Sequence, residues 1–155
     1  VSGINDEESP KTIDPLKDAG AIIFYQNELK DLPDADLYVY SDAWIYRGPE
    51  IISAAKERGV PVLSYFEALG EIAKKYKVIA ISGTHGKTTT STMVAHILKY
   101  SGNDCTAFLG GISSNYNTNI LFGENNTLVV EADEYNRSFL TLHPDIAIII
   151  HDKGF

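Results

Sequence analysis

The sequence is poor in the residues that make several functions easy to assign. It holds one cysteine, Cys105, which excludes an internal disulfide framework and a Cys-rich zinc site. No apolar run approaches the ~18 residues of a membrane-spanning helix. The first residues lack the basic region and apolar block of a secretory leader. The one methionine is Met93, and the chain opens Val1-Ser2-Gly3, as if cut from a longer protein. Basic residues are outnumbered, 13 Lys and Arg against 21 Asp and Glu, for a net charge of −8. That balance argues against broad nucleic-acid binding. It leaves room for an anionic ligand, which needs only local positive potential. What is present is globular composition: 155 residues, 44% apolar and 22% charged, enough to bury a core.

The chain punctuates itself into short blocks. Ser9-Pro10 is an N-cap followed by proline at the first helical position, with Ile13 and Leu16 on one face and Gly20 as the stop. Apolar runs at 21–25, 37–40 and 60–63 predict strands, and Pro49 opens a helix that ends at Gly59. Ser64-Tyr65-Phe66-Glu67 fits a capping box, with Phe66, Leu69, Ile72 and Ala73 as the apolar stripe behind it. Further strands are predicted at 78–81, 106–109, 127–130 and 146–150, and a helix at 87–100 closed by Gly102. The stretch 115–126 holds five asparagines and predicts a loop. Alternating β and α blocks imply an α/β fold with a mostly parallel sheet covered by helices. The basic run Lys74-Lys75-Tyr76-Lys77 marks a domain boundary near residue 77, or simply a solvated helix end.

Residues 78–90 read Val-Ile-Ala-Ile-Ser-Gly-Thr-His-Gly-Lys-Thr-Thr-Thr: strand, tight loop, helix. Gly83 and Gly86 let the backbone curl so that successive N–H groups point at a phosphate. The helix that follows adds its positive dipole end. Lys87 can reach terminal phosphates, and the Thr88 hydroxyl can meet Mg2+. The general phosphate-loop pattern wants glycine at 81, where this chain has Ile81. His85 could touch nucleotide or substrate, or simply fill a variable loop position.

Residues 128–134 read Leu-Val-Val-Glu-Ala-Asp-Glu. Carboxylates at the end of a buried strand lie where ligands bind in a parallel α/β sheet. In extended chain Glu131 and Asp133 share a side and Glu134 takes the other. Mg2+ is usually held by one or two carboxylates with phosphate and water, so Glu131, the first polar residue off the strand, is the candidate ligand. Alone, such a run is more often a solvated turn; beside a phosphate loop it is not. Arg137 could bind an anionic group or pair with Asp133 or Glu134. Cys105, His96, His143 and His151 form no nucleophile–base set, and the aromatics read as core rather than nucleic-acid platforms.

Gly-Thr-His-Gly-Lys-Thr-Thr-Thr at 83–90 together with Glu-Ala-Asp-Glu at 131–134 resembles the Mur ligases. Val-Ser-Gly at 1–3, Glu-Ser-Pro at 8–10, Gly-Val-Pro-Val-Leu at 59–63, Asn119 with Gly123, and Arg-Ser-Phe-Leu at 137–140 support the resemblance over nearly the whole chain. It implies a partial Rossmann-like UDP-sugar domain over 1–76, whose first strand and glycine-rich loop precede Val1. It implies the start of an ATP-binding central domain over 77–155. The activity implied is ATP-dependent amide formation in peptidoglycan precursor synthesis, in the cytoplasm. L-alanine is joined to UDP-N-acetylmuramate through an acyl phosphate. A murein tripeptide added to the same sugar nucleotide is the alternative, and an inactive nucleotide-binding module is the reading from another class. By the resemblance Gly83, Thr84, His85, Gly86, Lys87, Thr88 and Thr89 hold ATP, and Thr88 and Glu131 hold Mg2+. Lys87 and Glu131 serve the chemistry, and Ser41, Asn119 and Glu134 lie on the substrate side. The chain departs from the family pattern at Asn5, Asp42 and Asn136. It also departs after Ile150, where His151 does not match the family's metal-binding histidine.

Overall fold

The structure is a computed structural model that describes residues 1–5, 10–26, 31–132 and 141–151, with side chains described for these apart from 10–12 and 15. The chain divides into two compact units, Val1–Val62 and Leu63–Phe155. The first begins with β1 (Ser2–Asn5), α1 (Pro10–Asp18) and β2 (Ile22–Tyr25), the strands parallel with Ser2 opposite Ile22 and Asn5 opposite Tyr25. Residues 2–5 are too short and polar to announce a strand; pairing with β2 makes them one. Gly20 ends the α1 segment with φ +87°, and the Ala21 N–H returns to the Leu16 carbonyl at 2.9 Å, a left-handed cap that suits glycine. Then follow β3 (Tyr38–Tyr40), the single turn α2 (Trp44–Arg47), which the sequence does not signal, and α3 (Pro49–Glu57). Arg58 ties the end of α3 to the loop before β3, donating to Asp31 (2.6 Å), Asp34 (3.0 Å) and the Leu32 carbonyl (3.0 Å). The guanidinium holds the Asp31 carboxyl below its ordinary range.

The division falls within β4 (Val62–Ser64), so helix α4 (Tyr65–Ala73) belongs by packing with the second unit, ahead of the basic run near residue 77. Its capping box is complete: Glu67 N–H donates to Ser64 Oγ (3.2 Å), and Ser64 N–H to Glu67 Oε2 (2.7 Å). Replacing Ser64 with alanine should cost about 1 kcal/mol. The melting midpoint followed by circular dichroism should then fall by roughly 4–8 °C.

Next come β5 (Lys77–Gly83), α5 (Lys87–Tyr100), β6 (Thr106–Ser113), β7 (Thr118–Leu121), β8 (Thr127–Glu131) and β9 (Ile146–Ile150). They form a sheet of order β7-β6-β8-β5-β9. All neighbours are parallel except β7, which is antiparallel to β6. The predicted loop over 115–126 is therefore corrected: it contains β7. All its asparagines but Asn119 fall outside the strand, with Asn117 at φ +58°, a conformation asparagine tolerates. Leu121, 6% exposed, anchors the strand in the core.

The apolar runs split by alternation, as a strand covered on both faces requires. Val78, Ala80, Leu128 and Val130 pack with Leu69 and Ala73 of α4. Ile79, Ile81 and Val129 face the other way and pack with Ala95 of α5, Cys105 and Leu109. Parity along β8 then places Glu131 on the same side as Val129, towards α5.

Candidate functional site

The loop between β5 and α5 is built as its residues require. Ile81, at the position where the general phosphate-loop pattern has glycine, is fully buried in the core. The close approach falls two residues later instead. Gly83 has φ +138°, and a Cβ there would lie 2.1 Å from the Ile150 carbonyl oxygen. Gly86 is left-handed (φ +79°) and is the N-cap of α5, with no side chain to cap the first turn. The helix N-terminus is thus open to an anion. Thr84, His85 and Thr89 are exposed around it. Lys87 folds back so that Nζ donates to the Gly83 carbonyl at 2.7 Å, which keeps the ammonium over the loop.

From the start of α5, Thr88 Oγ1 reaches the Glu131 carboxylate, 3.2 Å from Oε1 and 3.0 Å from Oε2. Residues 43 positions apart in sequence meet here because β5 and β8 are neighbours in register, Ile81 opposite Glu131. The Gly110 N–H donates to Glu131 Oε2 at 2.8 Å. A hydroxyl beside a carboxylate, next to an open helix N-terminus, is an oxygen donor set of the kind Mg2+ accepts. Among the described residues no three His, Cys, Asp or Glu side chains converge into a metal cage.

The other predicted residues lie apart from this cluster or outside what is described. Glu134, with Asp133 and Arg137, is outside the described residues. Asn119 is exposed on β7. Ser41 belongs to the first unit, where it lines a cleft of about 830 Å³ with Gly3, Tyr40 and Trp44. Cys105 is fully buried, and desolvation pushes its thiol up, so it is not a ready nucleophile. His96 bonds Tyr116 through Nδ1 at 2.8 Å and stacks on Tyr100. No described helix is long and apolar enough to cross a membrane. Gly110 is the contact that sequence reasoning missed; the only signal was the glycine pair Gly110-Gly111 closing an apolar run.

A mostly parallel sheet, a glycine loop into a helix N-terminus, and a Thr–Glu pair beside it are the arrangement of the phosphate-loop class of α/β proteins. Comparison with known proteins narrows the class. Residues 1–77 match the profile described as Mur ligase family, catalytic domain. UDP-N-acetylmuramate–L-alanine ligase of Cytophaga hutchinsonii is 43% identical over 154 residues, covering 93% of this chain and 33% of that protein. The ligase of the same name from Chlorobaculum parvum is 42% identical, covering 96% and 31%. Among solved structures, a murein peptide ligase from Psychrobacter arcticus superposes with TM-score 0.81 at 27% identity, covering 98% of this chain and 38% of that one. UDP-N-acetylmuramate:L-alanyl-gamma-D-glutamyl-meso-diaminopimelate ligase from Neisseria meningitides does so with TM-score 0.79 at 27% identity, covering 99% and 54%. The chain belongs to the Mur ligase family, and it spans about one third of the length of the curated relatives it matches.

Proposed function

We propose that this chain supplies the nucleotide-binding part of an ATP-dependent ligase that joins L-alanine to UDP-N-acetylmuramate through an acyl phosphate, releasing ADP and phosphate. The observation that carries it is the meeting of Thr88 with Glu131 at the mouth of the Gly83–Thr89 loop. Phosphoryl transfer asks a protein for positioning and charge neutralisation more than for covalent help. The loop N–H groups and the α5 N-terminus bind and orient phosphate oxygens; Lys87 offsets their charge. Thr88 and Glu131 would hold Mg2+, which supplies further neutralisation of the phosphates when bound. Ser41 in the 830 Å³ cleft of the first unit is the proposed UDP-sugar contact, with Asn119 and Glu134 on the carboxylate side. On this reading residues 1–76 serve the sugar nucleotide and residues 77–155 serve ATP.

Addition of a murein tripeptide to the same sugar is the second reading, favoured by the two structural neighbours named for peptide ligation. Sequence identity of 42–43% to the alanine-adding relatives against 27% to those neighbours puts alanine first. ADP release by the intact protein with UDP-N-acetylmuramate decides between them. Stimulation by L-alanine supports the first reading, and stimulation by tripeptide alone supports the second. ATP consumption that ignores every amine would leave only a nucleotide-binding module. In the chain itself, Glu131→Gln should weaken magnesium-dependent ATP binding about 10-fold or more, as loss of a charged metal ligand does. Titration calorimetry with and without Mg2+ reads this directly.

A further inference from the structure

We propose that Gly110 is a positioning residue for the Glu131 carboxylate, and that it is glycine because the carboxylate occupies the space of its missing side chain. The inference rests on the reading of Glu131 as the Mg2+ ligand. A Cβ on Gly110 would sit 2.2 Å from Glu131 Oε2, 2.6 Å from Cδ and 2.7 Å from Oε1, so the whole carboxylate lies against that backbone. Its N–H points at the same group, donating to Oε2 at 2.8 Å. Conformation does not explain the glycine. Gly20, Gly59, Gly83, Gly86 and Gly102 have positive φ, whereas Gly110 is not among the positive-φ residues. The requirement is for space alone.

The carboxylate is thereby fixed from three elements: its own strand β8, the Thr88 hydroxyl on α5, and the Gly110 amide on β6. A glutamate side chain has three rotatable bonds, and a donor that sets its direction before the cation arrives removes ordering that would otherwise oppose binding. The donor is a backbone N–H with no side-chain torsions of its own, two residues past the last register pair between β6 and β8, Phe108 opposite Val130. Gly111 offers a built-in comparison, since a Cβ there would make only an ordinary 3.5 Å contact with the Thr88 methyl.

The test is ATP binding by the intact chain, titrated with Mg2+, for wild type, G110A, G111A, E131D, E131Q and the double variant G110A/E131D. G110A should raise the half-saturating Mg2+ about 10-fold, with binding recovered at high Mg2+, while G111A stays within about twofold of wild type. Because E131D withdraws the carboxylate by one methylene, the double variant should need less Mg2+ than G110A alone. A merely structural lesion would weaken binding at every Mg2+ concentration and would not be relieved by E131D. If E131Q binds Mg-ATP normally, the reading of Glu131 fails and the positioning role falls with it. If E131Q is weakened while G110A is normal, only the positioning role is overturned. Should G110A fail to melt cooperatively, recovery of the melt in G110A/E131D supports the steric conflict. Failure of both variants makes Gly110 a packing residue and overturns the proposal.

Discussion

Replacing Lys87 with alanine is expected to weaken Mg-ATP binding by the chain about 100-fold while leaving the melting midpoint nearly unchanged. The size follows from the bonds lost. A hydrogen bond to a charged group is worth about 1.5–3 kcal/mol, and 2.7 kcal/mol corresponds to about 100-fold. Stability should move little because the ammonium donates to the Gly83 carbonyl at the rim of the loop and Lys87 is not a member of the core layers on either side of the sheet. Calorimetry gives the affinity and circular dichroism the melt. An unchanged affinity would remove the loop from the nucleotide site. Lys87→Arg should recover only part of the binding, since a planar guanidinium does not reproduce a compact ammonium inside a tight loop.

The second large effect falls on stability. Gly83→Ala should cost about 3 kcal/mol or more, combining backbone strain at φ +138° with overpacking. The melting midpoint of the second unit should drop by roughly 12–24 °C. The new methyl would press on backbone, since the Ile150 oxygen is 2.1 Å and the Ile150 carbonyl carbon 2.9 Å from its position. Gly83 and Ile150 form the last register pair between β5 and β9, so the strands must part or the loop must unwind. Gly86, with a positive φ but nothing within 4 Å of an added Cβ, should pay for strain only. A melt of Gly83→Ala indistinguishable from wild type would show that β9 can shift away from the loop without loss.

Much of this was written in local pattern. The helix bounds of α5, the reciprocal cap of α4 and the buried strands β5 and β8 each follow from spacing within about ten residues. The loop and Glu131 were legible because strand, turn and helix signals adjoin them. What was hidden depends on partners distant in sequence. β7 lies inside an asparagine-rich stretch and becomes a strand only by pairing with β6. β1 exists because β2 lies beside it. Gly110 gave no sign of its role, because sequence does not distinguish a glycine needed for conformation from one needed for room. Ser41 was flagged only by resemblance, and its place on the wall of the first unit's cleft required the fold.

The alternation along β8 constrains how this protein can change by insertion or deletion. Leu128 and Val130 point to α4, Val129 and Glu131 to α5. One residue added or lost between Leu128 and Glu131 would reverse the last positions. The carboxylate would then enter the layer of Leu69 and Leu142, unpaired and out of water. Changes of two residues would keep the faces but shift the carboxylate about 7 Å along the strand, out of reach of Thr88. Length variation in this chain's lineage is therefore expected in the turns at 114–117 and 122–126, and excluded from the five residues of β8.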